Sequence, residues 1–376
     1  MAPDPAADDQ ALGIRLTGLA PGQPAMLSAQ FTDATGAQWD AEAAFRADGR
    51  GVVDVATQAP IAGTYSGVQP MGLIWSASPS AGFVSPQSFT ALSATPPPPV
   101  TVVATIGGRL IARAILTRYT VAPGVTATMV RAAGLYGELY RPGGAHSVPG
   151  VLLLGGSEGG LNPYLKREAA LLADHGYAAL ALAYFGAPGL LHTLTNIPLE
   201  YVGRALGWLG RQPGVRGDRL AVVGHSRGGE LALLLGAHDP RLKAVVSYVG
   251  SGLVFGSTTG RDNASWTWHG VPIAPRTVIP VERINGPVLL LAAADDKVWP
   301  SAALSQVAVD RLRHAHHPYA DQLVVYLGAG HFIEPPYLPT SAALPYDGGN
   351  TRDQAVADAD AWSRTLRTLD RRLGVG

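Results

Sequence analysis

Five short apolar runs in the second two-thirds of the chain restrict its fold more than any other feature: VPGVLLLGG, YAALALAY, RLAVVGH, LKAVVSYVG and PVLLLAAAD. None alternates polar with apolar residues, so each reads as a strand buried on both faces. Helical patterns fall between them, over about Tyr164–His175, in PLEYVGRALGWLGRQ, after Ser226, near Ser301–Ala315 and over about Gln354–Leu373. Gly176 is the expected C-cap of the first of these helices. Buried strands alternating with helices predict an α/β fold, a mostly parallel sheet covered on both faces.

The first hundred residues read differently. IRLTG, AMLSAQFTD, GVVDVAT and GTYSGV are short strands separated by turn signals, which predicts an antiparallel β-sandwich. A run of four prolines precedes VTVVATI, and we set the boundary at Gly107–Gly108. The expected domains are 1–107 and 108–376.

Composition narrows the chemistry. The 376 residues carry 28 basic and 28 acidic side chains, so bulk charge predicts no nucleic-acid and no membrane partner. The absence of cysteine rules out disulfides, thiolate metal sites and a cysteine nucleophile. The N-terminus, MAPDPAADDQALG, has no basic n-region followed by an apolar h-region, and the apolar runs are shorter than a membrane span, so a cytoplasmic protein is expected.

The candidate chemistry sits where RLAVVGH meets the next helix. GHSRG fits the G-x-S-x-G pattern, a strained strand-to-helix turn that lifts a serine hydroxyl above the sheet. Ser226 is the expected nucleophile, and the N–H of Arg227 one oxyanion donor. A serine nucleophile needs a base and an orienting acid, expected in the order Ser, acid, His, each just after a strand. Asp295 and Asp296 follow PVLLLAAA, and His331 follows DQLVVYLGAG. The residues alone leave the two aspartates open. The second oxyanion donor is expected from LLLGGSEGGLN, between Ser157 and Gly159, with Ser157 and Glu158 as candidates. His314, His316 and His317 read as a solvated helix end rather than a metal site. His225 reads as a packed neighbour of the turn. Tyr184, Phe185, Trp266 and Trp268 are the candidate substrate-pocket residues, and His192 and His269 weaker ones.

These motifs carry a resemblance. GHSRGGEL, DDKVWPS, LGAGHFIEPPY, IPLEYVGRAL, DADAWSRTL and, earlier, GVQPMGLIWS resemble the acyl-CoA thioesterase and bile-acid-CoA:amino acid N-acyltransferase family, from about Leu16 to Leu373. The resemblance implies an immunoglobulin-like sandwich followed by an α/β-hydrolase domain. It implies a Ser226–Asp296–His331 triad, with Asp296 chosen because it precedes KVWPS. The chain departs from the family pattern in two places. The acyltransferase branch uses cysteine where this chain has Ser226, so water rather than an amine is the expected acceptor. His225 and Arg227 stand where the family usually has a small aliphatic residue and lysine.

The expected activity is hydrolysis of a small-molecule acyl thioester, on CoA or a carrier protein, with no metal and no organic cofactor. The alternatives are a carboxylesterase or lactone hydrolase, or an acyltransferase or cyclase on a secondary-metabolite intermediate. CoA phosphates call for basic contacts, for which Arg227, Arg261 and Arg276 are the nearby candidates. The segment between LKAVVSYVG and PVLLLAAAD, which carries Trp266 and Trp268, is the expected partial lid.

Overall fold

A computed structural model describes residues 5–82, 96–144, 147–342 and 344–375. The chain forms two compact units, Met1–Val121 with Pro335–Ala359, and Ala122–Glu334 with Asp360–Gly376.

The first unit is β-rich. Its main strands are β1 (Pro24–Thr32), β2 (Gln38–Arg46), β3 (Val100–Ile106) and β4 (Arg109–Leu116). They pair antiparallel in the order β2–β1–β3–β4, with Ala62–Gly63 and Ser78–Pro79 added to β2. One face alternates into the core: Ala25, Leu27, Ala29 and Phe31 from β1, and Trp39, Ala41, Ala43 and Phe45 from β2. The short pair Arg15–Leu16 with Val53–Asp54 and the turn of helix Gly72–Trp75 contribute to the same cluster through Val53, Leu73 and Ile74.

Two long strands were not read from sequence. β2 buries two alanines, which carry little strand signal, between Trp39 and Phe45, and β4 leaves nearly every residue exposed. The domain boundary changes for the same reason. Gly107 and Gly108, with φ of 54° and 78°, form the two-residue turn of the β3–β4 hairpin. The glycine pair is therefore internal to the first unit, which runs on to Val121 and takes in Pro335–Ala359.

The second unit carries an eight-stranded sheet with helices interspersed along the chain. Its strands are β5 (Thr126–Val130), β6 (Tyr136–Arg141), β7 (Val148–Leu154), β8 (Ala178–Ala183), β9 (Val215–His225), β10 (Leu242–Tyr248), β11 (Val288–Ala293) and β12 (Gln322–Tyr326). Spatial order is β5–β6–β8–β7–β9–β10–β11–β12; β5 and β6 are antiparallel and every pair from β8 to β12 is parallel. Every residue of β7, β8, β10 and β11 is buried except Lys243, as their uniform apolar sequences require. This is the α/β-hydrolase arrangement. The helices are α1 (Pro163–Asp174), α2 (Leu199–Leu209), α3 (Arg227–His238), α4 (Ser301–His314) and α5 (Thr351–Leu373), of which the residues from Asp360 on belong to this unit. No described helix is long and apolar enough to cross a membrane.

Register decides where chemistry can sit. Leu154 of β7 pairs with Gly224 of β9, and His225 of β9 pairs with Tyr248 of β10. The loops that follow β7, β9, β11 and β12 therefore leave the sheet at one edge, its carboxyl end, where open α/β sheets bind ligands.

Candidate active site

Ser226 lies between the last residue of β9 and the first of α3, with φ 53° and ψ −116°. A side chain at positive φ is strained, and the surrounding contacts hold it there. Its N–H donates to Tyr248 O at 2.9 Å, while its carbonyl accepts from Gly229 N at 2.9 Å and Glu230 N at 3.1 Å. The two flanking glycines have steric causes. A Cβ on Gly224 would overlap the Gly228 carbonyl, and one on Gly228 would overlap the carbonyls of Leu154 and Gly155. Helix α3 can press this closely on β7 and β9 only without those side chains.

His331, in the loop after β12, has Nε2 2.9 Å from Ser226 Oγ. Its Nδ1 is 2.8 Å from Asp296 Oδ2. The Asp296 carboxylate is 1% exposed, and its other oxygen accepts from Val298 N at 2.9 Å and Trp299 N at 3.1 Å. That turn orients Asp296 toward His331. The neighbouring Asp295 is exposed and contributes its backbone N–H to Ala329 O at 3.1 Å. Trp299 packs edge-on against the His331 ring at 6.0 Å and anchors its own N–H on Val249 O at 2.8 Å. The arrangement gives a hydroxyl, an imidazole and a carboxylate in hydrogen-bond series, able to remove a proton from Ser226 and return it to a leaving group.

The loop after β7 lies beside the serine: a Cβ on Gly156 would stand 3.4 Å from Ser226 Cβ. Gly156 uses its N–H inside the loop, toward Glu158 Oε1 at 2.9 Å and Tyr164 Oη at 3.2 Å. The Glu158 carboxylate also accepts from Asn162 Nδ2 at 2.9 Å and from the Tyr164 hydroxyl. Burial, then the charge of Glu158, pushes the Tyr164 hydroxyl well above the usual tyrosine range, so it remains a donor at any working pH. Glu158 thus fixes the loop through its side chain. Ser157 and Glu158 follow Gly156, and Arg227 is the first residue of α3, where a backbone N–H has no acceptor within the helix.

A cavity of about 640 Å³ lies close by, lined by Arg227, which follows Ser226, and by Trp299, which packs on His331, but not by the three residues of the series themselves. Its walls include Leu253, Phe255, Val298, Trp299 and Pro300, and three guanidinium-bearing residues, Arg227, Arg261 and Arg276. None of the four aromatic residues expected to line a pocket borders it. Tyr184 is buried and reaches Gly155 O at 2.7 Å and Gly156 O at 3.0 Å, so it braces the loop from below. Phe185 packs under Gly159, and Trp266 is fully buried with its N–H 2.5 Å from Glu230 Oε1. Trp268 stacks near His238 and His269. All four are large apolar residues at strand ends, and packing absorbed them. The wall residues were missed because Val298, Trp299 and Pro300 read only as flanking the acid, and Phe255 as part of a lid.

Arg227 is held tightly. Its Nη2 donates to Phe255 O at 3.0 Å and to Ser265 Oγ at 2.5 Å, and its Nη1 lies 3.2 Å from Glu230 Oε2. Glu230 is fully enclosed, and burial pushes its carboxyl up to about 7 despite the nearby guanidinium.

The remaining histidines sort by contact. His225 is buried, 2.8 Å from Glu168 Oε2, and stacks on Tyr248 at 4.5 Å, a packed neighbour of the turn as expected. His192 is exposed, and His269 is exposed beside Glu200; neither borders the cavity. His314 and His316 are solvated, but His317 is not: it is buried between Asp321 (2.7 Å) and Ile284 O (2.8 Å), a structural bridge. No cluster of three metal-ligating side chains occurs among the described residues.

Comparison with known proteins agrees with this architecture. The family described as the acyl-CoA thioester hydrolase/BAAT N-terminal region matches residues 9–132, and the BAAT/acyl-CoA thioester hydrolase C-terminal region matches 197–267 and 270–375. Acyl-coenzyme A thioesterase 6 of Mus musculus is 34% identical over 95% of this chain and 92% of its own. Peroxisomal succinyl-coenzyme A thioesterase of Mus musculus is 30% identical, covering 97% and 94%, and acyl-coenzyme A thioesterase 1 of Rattus norvegicus is 32% identical, covering 97% and 94%. Among solved structures, a dienelactone hydrolase-like promiscuous phosphotriesterase from metagenomic libraries aligns with TM-score 0.48 and 24% identity, over 67% of this chain and 100% of that one. The chain belongs to the acyl-CoA thioester hydrolase/BAAT family.

Proposed function

We propose that this protein is a serine hydrolase that cleaves acyl thioesters, acyl-CoA in the first instance, through an acyl-enzyme on Ser226. The observation that carries the reading is the hydrogen-bond series Ser226 Oγ–His331 Nε2–Asp296, at 2.9 and 2.8 Å. Asp296 keeps the proton of neutral His331 on Nδ1, which leaves Nε2 to accept the Ser226 proton. The serine oxygen attacks the thioester carbon. The oxyanion takes hydrogen bonds from the N–H of Arg227 at the start of α3 and from Ser157 or Glu158 in the loop after β7. The thiolate departs with the proton carried by His331. Water then loses a proton to His331, attacks the ester, and releases the acid and Ser226. The sequence of steps calls for no metal and no organic cofactor.

The names of the relatives support a thioester over an oxygen ester. His225, one of the departures from the family pattern, is engaged with Glu168 and Tyr248 and so bears on packing rather than on substrate choice. The test is kinetic. Acyl-CoA thioesters and oxygen esters matched in acyl length are compared by kcat/KM. The thioester is expected to be favoured by tenfold or more, on the order of 1.4 kcal/mol in the barrier. Equal or faster turnover of the oxygen esters overturns the thioester assignment and favours a carboxylesterase.

A further inference from the structure

The hydrolytic steps do not use the arginine side chains of the cavity. Arg261 and Arg276 border it, and neither has an ion pair or side-chain hydrogen bond with a described residue. Arg227 is deeper. Its side chain is 8% exposed, and its Nε–H is buried with no acceptor among the described residues. The other cavity walls are apolar, with Phe255 and Trp299 in ring contact at 4.9 Å. A charged group that enters this space meets three cations. The one carboxylate paired to them, Glu230, is pushed toward its neutral form by burial.

We infer that this cavity is an anion subsite, in which Arg261 and Arg276 at the wall, with the charge of the Arg227 guanidinium nearby, bind a phosphate or carboxylate carried by the substrate. The inference rests on the thioester reading above and adds a specificity determinant to it. Guanidinium groups suit both anions, since each offers the oxygen pair that the planar fork matches. Two parts of a thioester can supply the anion: phosphates on the thiol side, or a carboxylate at the far end of the acyl chain.

The experiment uses Arg261→Gln, Arg276→Gln and the double variant. Both residues are exposed, so the substitutions leave the core intact. Four substrates are compared: an acyl-CoA, the same acyl group on N-acetylcysteamine, and both thiols carrying an acyl chain that ends in a carboxylate. The double variant is expected to lose about tenfold or more in kcat/KM, mainly through KM, on anionic substrates relative to the neutral N-acetylcysteamine thioester. A loss that follows CoA assigns the subsite to phosphate; one that follows the terminal carboxylate assigns it to the acyl end. Raising salt should reproduce part of the loss in the unsubstituted protein. Equal losses on all four substrates overturn the inference. If the unsubstituted protein cleaves none of them, the thioester reading fails instead. The subsite is then read by calorimetric binding of free CoA and of succinate, where equal affinity in the parent and double variant overturns it.

Discussion

Ser226 is held at φ 53° and ψ −116°, a conformation that glycine adopts freely and serine does not. The cost of such a residue is about 1–3 kcal/mol. The turn keeps it because the serine must stand clear of the helix, with its Oγ facing His331. Strain and function therefore separate at this position. If Ser226 is the nucleophile as proposed, Ser226→Ala and Ser226→Gly should both lose activity by several orders of magnitude. The glycine variant should be the more stable of the two by about 1 kcal/mol in denaturant unfolding, since it relaxes the backbone. A glycine variant less stable than the alanine variant would mean that the positive φ carries no strain.

At the scale of elements, helix α3 is tied to the segment that follows β10 by Arg227 and by a buried carboxylate. Glu230 accepts from Phe255 N at 3.1 Å and from Trp266 Nε1 at 2.5 Å, with Arg227 beside it. Burial raises its folded-state value from 4.5 to about 7. A raised carboxyl binds its proton more tightly in the folded chain than in the unfolded one. Stability from this group is therefore full below about pH 4.5 and lost as pH rises through about 7. Glu230→Gln keeps an acceptor oxygen but cannot ionise. Its stability relative to the parent should improve by about 3 kcal/mol between pH 4.5 and pH 8, measured by denaturant unfolding at each pH. A pH-independent difference would show that Glu230 titrates as an ordinary carboxyl.

This clamp marks the limit of what could be read from the sequence. The five buried strands, the turn at Ser226, and Asp296 and His331 after their strands were legible, because periodicity and spacing carry them. The resemblance was needed to choose Asp296 over Asp295; the turn through Val298 and Trp299 supplies the local reason. Strand β2, whose buried face alternates Trp39, Ala41, Ala43 and Phe45, was not read. The cavity's arginines were named, but its apolar wall was not, since contacts such as that of Arg227 with Phe255 join positions 28 residues apart and leave no local pattern.

Over the whole molecule, chain order and spatial unit do not coincide. Pro335–Ala359 belongs to the first unit, which the chain left at Val121. Within that unit Leu338 is a core residue, Arg118 donates to Tyr337 O at 2.9 Å, and Ser341 donates to Ala77 O at 2.9 Å. The β-rich unit is thus completed by residues that follow His331 in the chain. A boundary drawn once along the sequence could not have described it.

The central claim is that Ser226 carries the acyl group, and intact mass tests it most directly. The protein is mixed with an acyl-CoA, quenched in acid during turnover, and weighed, with peptide mapping of any adduct. The account predicts a gain of one acyl group on Ser226, absent from Ser226→Ala. An acyl group on another residue, or turnover that persists in Ser226→Ala, would contradict it.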